Sequence, residues 1–145
     1  MENDFKISDS KIMYIYTDGA SRGNPGPSAA AFVITEEGKK ILYTESTFIG
    51  KTTNNRAEYK AVINSLKKAK EDYEGLVIIH SDSQLLIKQA NGKYKVKNKH
   101  LKKLYNEMMK LTANFSHVEF KHVPRENKLL KKADELCNQE LDENI

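Results

Sequence analysis

Ile12-Met13-Tyr14-Ile15-Tyr16-Thr17-Asp18-Gly19 carries an unbroken apolar run that stops at a carboxylate. Apolar side chains at consecutive positions, with no polar alternation, predict a central strand covered on both faces. The next residues, Ser21-Arg22-Gly23-Asn24-Pro25-Gly26-Pro27, have the composition of a loop. Residues 29–35 then read as a second strand, 36–39 as its turn and 40–49 as a third, which predicts an antiparallel meander.

Past residue 50 the period changes. Ala57, Ala61, Val62, Leu66 and Ala69 share one helical face, with Lys60, Asn64 and Lys67 opposite. Asn54 or Asn55 is the expected cap. Residues 76–80 read as a short buried strand, and Ser81-Asp82-Ser83 opens a helix through Ala90. Leu101, Leu104, Tyr105, Met108 and Leu111 mark another helix. Residues 117–123 alternate as a strand, with Val118 and Phe120 on one face, and a final helix ends near Leu141. The order βββαβααβα predicts an α/β fold, a mixed sheet with helices on both faces, in which the strands after the first helix run parallel to the first strand.

Composition bounds the function. A chain of 145 residues, 39% hydrophobic and 30% charged, is the size of one domain. Residues 1–10 read as a loose polar segment and 11–145 as a single domain. The longest apolar run is far short of the roughly 20 residues that span a bilayer, and the start Met1-Glu2-Asn3-Asp4 lacks the pattern of a signal peptide. The lone Cys137 shares a helical face with Ala133, Leu136 and Leu141, as a core thiol would. A cytoplasmic location, no membrane and no obligatory protein partner are expected. The net charge of +4 is modest, but residues 83–106 contain no acid while holding Lys88, Lys93, Lys95, Lys97, Lys99, Lys102 and Lys103. Such a block attracts polyanions, or forms a solvated face.

Four acidic residues sit where elements end. Asp18 closes the first strand, Asp82 ends the strand expected beside it, Glu58 lies in the first turn of the first long helix, and Asp134 near the start of the last. Open α/β sheets place ligand sites at the carboxyl ends of adjacent strands. Carboxylates converging there repel one another unless cations occupy the site, and hard oxygen donors suit Mg²⁺ or Mn²⁺. Each also has a local explanation: a turn at Asp18-Gly19, an Asn55-x-x-Glu58 capping box, an N-cap at Asp82, a solvated helix at Asp134.

The words around these residues are Tyr16-Thr17-Asp18-Gly19-Ala20-Ser21-x-Gly23-Asn24-Pro25-Gly26, Thr52-Thr53-Asn54-Asn55-Arg56-Ala57-Glu58, Ser81-Asp82-Ser83-Gln84, and His122-Val123-Pro124-Arg125-Glu126 with Ala133-Asp134. In this order they resemble type 1 ribonuclease H over roughly residues 11–142. The resemblance implies a ribonuclease H-like fold with a five-stranded mixed sheet and a catalytic set of Asp18, Glu58, Asp82 and Asp134. It further implies two Mg²⁺ or Mn²⁺ ions with substrate bound, cutting the RNA strand of RNA–DNA hybrids to leave 5′-phosphate and 3′-hydroxyl ends. It assigns Asn24, Asn54, Asn55 and Gln84 to the minor groove, where 2′-hydroxyls mark RNA. Thr53 and Arg56 fall near the DNA backbone, and His122 matches a mobile histidine that shuttles protons or aids product release.

Two departures stand out. Many members insert a basic, Trp-containing protrusion between the middle helices; here Lys93-Tyr94-Lys95-Val96-Lys97-Asn98-Lys99 occupies the connection, as in a handle-less prokaryotic branch, and is expected to grip phosphates in its place. The segment from His122 to Asp134 is also about two residues longer than the usual pattern. Three rival readings remain: a nuclease or strand-transferase of the same superfold with another substrate, a non-catalytic hybrid-binding module, and a domain of a reverse transcriptase. The Asn54-Asn55 pair disfavours the first, the intact carboxylates the second, and the short ends the third.

Overall fold

The computed structural model describes residues 7–145. The expected loose segment lies outside the described residues over 1–6. Over 7–10, Ile7 packs on the core and Asp9 Oδ1 accepts a hydrogen bond from Glu74 N at 3.1 Å.

Five strands form one sheet in the order β3-β2-β1-β4-β5. The strands are β1 (Met13–Ser21), β2 (Gly26–Glu36), β3 (Lys40–Thr52), β4 (Leu76–Ser81) and β5 (His117–His122). β1 is central, antiparallel to β2 and parallel to β4. β2 and β3 form a hairpin through a turn in which Glu37 and Gly38 adopt positive φ. The helices are α1 (Asn54–Ala69), α2 (Gln84–Ala90), α3 (Lys99–Leu111) and α4 (Lys128–Asn144), with a 3₁₀ turn at Thr112–Asn114. The element order and the mixed sheet agree with the periodicities.

The pleat divides the sheet between two helical layers. Met13, Ile15, Phe32 and Ile34 face Tyr59, Val62, Ile63 and Leu66 of α1, and α3 adds Leu101, Met108 and Leu111. On the other face Tyr16, Ala29, Ala31 and Val33 meet Ala133, Cys137 and Leu141 of α4. Small side chains at Ala29 and Ala31 let α4 lie close. Cys137 is fully buried there, as expected of a core thiol.

Several boundaries differ from the periodic reading: β2 starts at Gly26, inside the expected loop, and β3 runs on to Thr52. β1 continues through Asp18-Gly19 to Ser21, because β2 supplies partners that far: Asp18 pairs with Ala31 and Ser21 with Ser28. Parallel pairing with β4 stops at Tyr16↔His80, so Asp18 lies beyond the last β4 partner, although within β1. Thr53, rather than either asparagine, caps α1, its hydroxyl accepting from Arg56 N; Ser83, rather than Asp82, caps α2.

Gly19 fixes how α1 meets β1. A Cβ there would stand 2.3 Å from the carbonyl carbon of Ala57 and 2.4 Å from Glu58 N. Both are backbone atoms, so the collision has no flexible side chain to absorb it. Gly19→Ala is therefore expected to destabilise the fold by about 1–3 kcal/mol as helix and strand part, read from urea unfolding midpoints. An unchanged midpoint would show that the helix terminus is not seated on the strand.

Candidate active site

The sheet edge where β1 outruns β4 gathers the acidic residues. Asp18 extends from β1, Asp82 follows the last residue of β4, and Glu58 enters from the first turns of α1. One carboxylate oxygen from each lies within 4.8 Å of the others. Asp18 and Glu58 are buried and Asp82 half-buried. Asp134, at the seventh position of α4, lines the same cleft, of about 230 Å³, without joining the tight trio.

Glu58 is aimed by the main chain. Gly19 N donates to Glu58 Oε1 at 3.0 Å, so the carboxylate serves β1 rather than a capping box with Asn55. Cys137 Sγ donates to Asp18 O at 3.3 Å, fixing the strand from the opposite face.

Burial and mutual repulsion raise the affinity of these groups for protons. Asp18 is pushed up to about 8, first by burial, then by the charges of Asp82 and Asp134, with Arg125 opposing. Glu58 is raised well above the carboxylate range by burial and by Asp18 and Asp82, with the Gly19 N–H opposing. Burial also raises Asp82, against Arg125. Among the described residues none of these carboxylates sits in an ion pair within 4 Å. A desolvated trio of hard oxygen donors without a paired cation fits a divalent metal ion.

The remaining predicted residues surround the cleft. Asn54 lines it. Asn24 Oδ1 accepts from Asn54 N at 2.9 Å, tying the β1–β2 loop to the start of α1. Asn24, Thr53, Asn55 and Arg56 line an adjoining pocket of about 200 Å³. Asn98, which has no role in the sequence reading, joins them there while its Oδ1 caps α3. On the other flank Gln84, Lys93 and His122 share a pocket of about 240 Å³. His122 ends β5 outside the lining of the carboxylate cleft. Lys95, Lys97 and Lys99 are exposed, while Val96 between them packs against the core.

Arg125 is a further residue to which the sequence reading gives no role. It is exposed, lines the carboxylate cleft, and makes no ion pair with its acids. The longer segment accounts for itself: Asn127 Oδ1 caps α4 by accepting from Leu129 N and Leu130 N, so Asp134 begins nearly two turns into the helix.

A family model described as reverse transcriptase-like matches residues 16–140. Ribonuclease HI of Halobacterium salinarum is 35% identical over 131 residues, covering 90% of this chain and 65% of the relative. The bifunctional protein Rv2228c of Mycobacterium tuberculosis is 36% identical over 129 residues, covering 88% of this chain and 35% of the relative. The chain thus spans about two thirds of the first curated relative and about one third of the second. Among solved structures, LC11-RNase H1 in complex with an RNA/DNA hybrid superposes with TM-score 0.85 at 37% identity, covering 91% of this chain and 98% of that one.

The raised carboxylates set a pH dependence. Asp18 titrates near 8 when folded and near about 3.9 when unfolded. Between those values the metal-free folded state holds a proton that the unfolded state has released. Stability from this group is thus full below about pH 4 and falls by up to about 1.4 kcal/mol per pH unit until about pH 8. Glu58 acts in the same direction. In excess chelator the melting temperature should fall from pH 5 to 8, and less steeply in Asp82→Asn, which removes a repelling charge. Mg²⁺ should raise the melting temperature of the parent more than that of the variant. Identical pH profiles for the two proteins would place Asp82 away from the trio.

Proposed function

This chain belongs to the type 1 ribonuclease H family, and we propose that it is a metal-dependent endonuclease that hydrolyses the RNA strand of RNA–DNA hybrids, giving 5′-phosphate and 3′-hydroxyl ends. The observation that carries this reading is the convergence of Asp18, Glu58 and Asp82 within 4.8 Å at the sheet edge. The structural relative bound to an RNA/DNA hybrid supports the substrate class.

Asp18, Glu58, Asp82 and Asp134 would hold the metal, Mg²⁺ or Mn²⁺, two ions being expected with substrate bound. When bound, such ions acidify a water and neutralise charge on the phosphate and on the leaving oxygen. The chain's own residues supply the rest. The Gly19 N–H keeps Glu58 turned into the cleft, and burial at Asp18 keeps bulk water from competing as a ligand. Arg125, on the rim with no acid paired to it, presents its guanidinium to the scissile phosphate. His122 faces the neighbouring pocket, where a proton carrier or a product-releasing group would act.

Asn24, Asn54, Asn55 and Gln84 read the minor groove on both sides of the cleft, where the 2′-hydroxyl separates RNA from DNA. Thr53 and Arg56 take the DNA backbone beside them. Lys93, Lys95, Lys97 and Lys99 bind phosphates on the flank of His122. No helix among the described residues is long and apolar enough to cross a membrane, and a buried free thiol suits the cytoplasm.

Two experiments follow. The chain should cleave the RNA of a hybrid in Mg²⁺ or Mn²⁺, spare duplex DNA and stop in excess chelator, and Asp82→Asn should be inactive while folded. Equal cutting of duplex DNA would instead assign a different nuclease of the same fold; a hybrid bound but uncut would assign a binding module.

Separately, changing Lys93, Lys95, Lys97 and Lys99 to Ala should flatten the dependence of log affinity on log salt by up to roughly 0.9 for each phosphate no longer neutralised. An unaltered slope would return the segment to solvent.

A further inference from the structure

A buried polar pair lies outside the carboxylate cleft. The Tyr59 hydroxyl of α1 donates to Gln89 Oε1 of α2 at 2.6 Å, and both residues are buried. Burial, with Tyr105 nearby, raises this hydroxyl above the ordinary tyrosine range, so it stays protonated as the donor. The surroundings are apolar: Tyr59 shares one core cluster with Leu86, Ile87 and Ala90 of α2. A phenyl ring against a thioether would fill such a place without a polar group to desolvate, and replacing both partners in this way is nearly neutral or stabilising. The hydrogen bond therefore adds little cohesion. It adds a fixed distance and direction between two helices that non-directional apolar contact would let slide.

Those two helices govern two of the three clustered acids. Glu58 precedes Tyr59 on α1, so the side chain that reaches into the cleft and the one that reaches α2 are consecutive. Asp82 stands just before Ser83, whose hydroxyl caps α2 by accepting from Leu86 N at 3.2 Å. α2 is only seven residues long, and Asn91 Nδ2 ties its far end to Phe120 O at 3.2 Å. A slide or tilt of α2 on α1 therefore changes the separation of Glu58 from Asp82, whose carboxylate oxygens lie within 4.8 Å. We propose that Tyr59 and Gln89 are positioning residues that set the width of the metal site, and so its preference for Mg²⁺ over the larger Ca²⁺. This inference rests on the metal-site reading above. Mg²⁺ demands oxygens at about 2.0–2.1 Å in a near-octahedral shell, whereas Ca²⁺ takes them at about 2.3–2.6 Å in a flexible one. A site held narrow suits the first ion, and a site free to widen loses it before it loses the second.

The test compares the full chain with Tyr59→Phe and with Tyr59→Phe/Gln89→Met. Melting temperature is followed over a series of Mg²⁺ or Ca²⁺ concentrations, which gives the affinity of the native state by mass action, and again in chelator, which gives stability alone. Tyr59→Phe leaves Gln89 Oε1 buried without its donor and should melt lower in chelator. The double variant makes the contact apolar and should recover that loss, so it carries the comparison even where the single variant unfolds. In both variants Mg²⁺ affinity should fall by roughly tenfold, the low end of the loss caused by removing groups that orient metal ligands. Ca²⁺ affinity should change less, so the preference for Mg²⁺ shrinks. On a hybrid, the Mg²⁺ concentration giving half-maximal cleavage should rise by a larger factor than the saturated rate falls. Recovery of Mg²⁺ affinity together with stability in the double variant would overturn the proposal and reduce the pair to packing. Parent-like Mg²⁺ affinity in Tyr59→Phe would do the same, as would an equal loss for the two ions. If Asp82→Asn responds to Mg²⁺ as the parent does, the metal-site reading and the positioning role fall together.

Discussion

The hydrogen bond from Gly19 N to Glu58 Oε1 joins the central strand to the first helix at the point where both enter the cleft. It forms because position 19 has no side chain, which lets the main chain of α1 at Ala57 and Glu58 approach β1 within van der Waals distance. That approach sets the height of α1 over the sheet. The height in turn seats Tyr59, Val62 and Leu66 on Met13 and Ile15, and it places Asn54, Asn55 and Arg56 along the rim. Packing and the site therefore share one geometric origin.

The cost of the arrangement is electrostatic. Removing Asp18 and Glu58 from water beside Asp82 opposes ionisation of all three, and the strand meets that cost by burying apolar surface on both its faces. From behind, Cys137 adds no charge: burial and the neighbouring acids raise its thiol, which stays protonated and donates to Asp18 O. His80, stacked on Tyr16 at 4.3 Å, is kept towards its neutral form by burial. The sheet beneath the acids thus offers them little countercharge. Arg125 at the rim opposes the repulsion from a distance, which leaves the centre of the cleft to be neutralised by a metal ion.

Element order and sheet architecture were legible because hydrophobic period reports burial, and burial here follows the layers closely. What escaped depended on partners remote in sequence. β1 extends past Asp18 only because β2 is there to pair with it, a fact the residues 12–19 do not contain. Thr53 caps α1 through its hydroxyl, and Asn54 N bonds instead to Asn24, 30 residues away. Glu58 looked like half of a capping box because its true donor is Gly19, 39 residues away. Asp18, Glu58 and Asp82 were identifiable from position and local wording. Arg125 stands within a legible motif but has no role there, since an exposed arginine in a loop acquires meaning only from the acids it faces.

Charge that is visible in sequence and charge that is assembled by folding occupy opposite flanks of the cleft. The lysine-rich connection between α2 and α3 is an obvious run, yet it is not a free tether. Val96 packs into the core, and Lys88 lies over the Tyr94 ring at 5.0 Å. Anchoring at Val96 limits the freedom of the segment, while Lys95 and Lys97 on either side of it stay exposed. Asn98, at the end of the same connection, caps α3 and lines the Thr53 pocket, so one short segment reaches from the flank of His122 to the flank of Thr53. A chain without a protruding basic handle in this way spreads its cations over several elements. Part is fixed by a pinned loop and part by the meeting of β3, α1 and α3, while the neutral Asn54 lines the carboxylate cleft and Asn55 the Thr53 pocket.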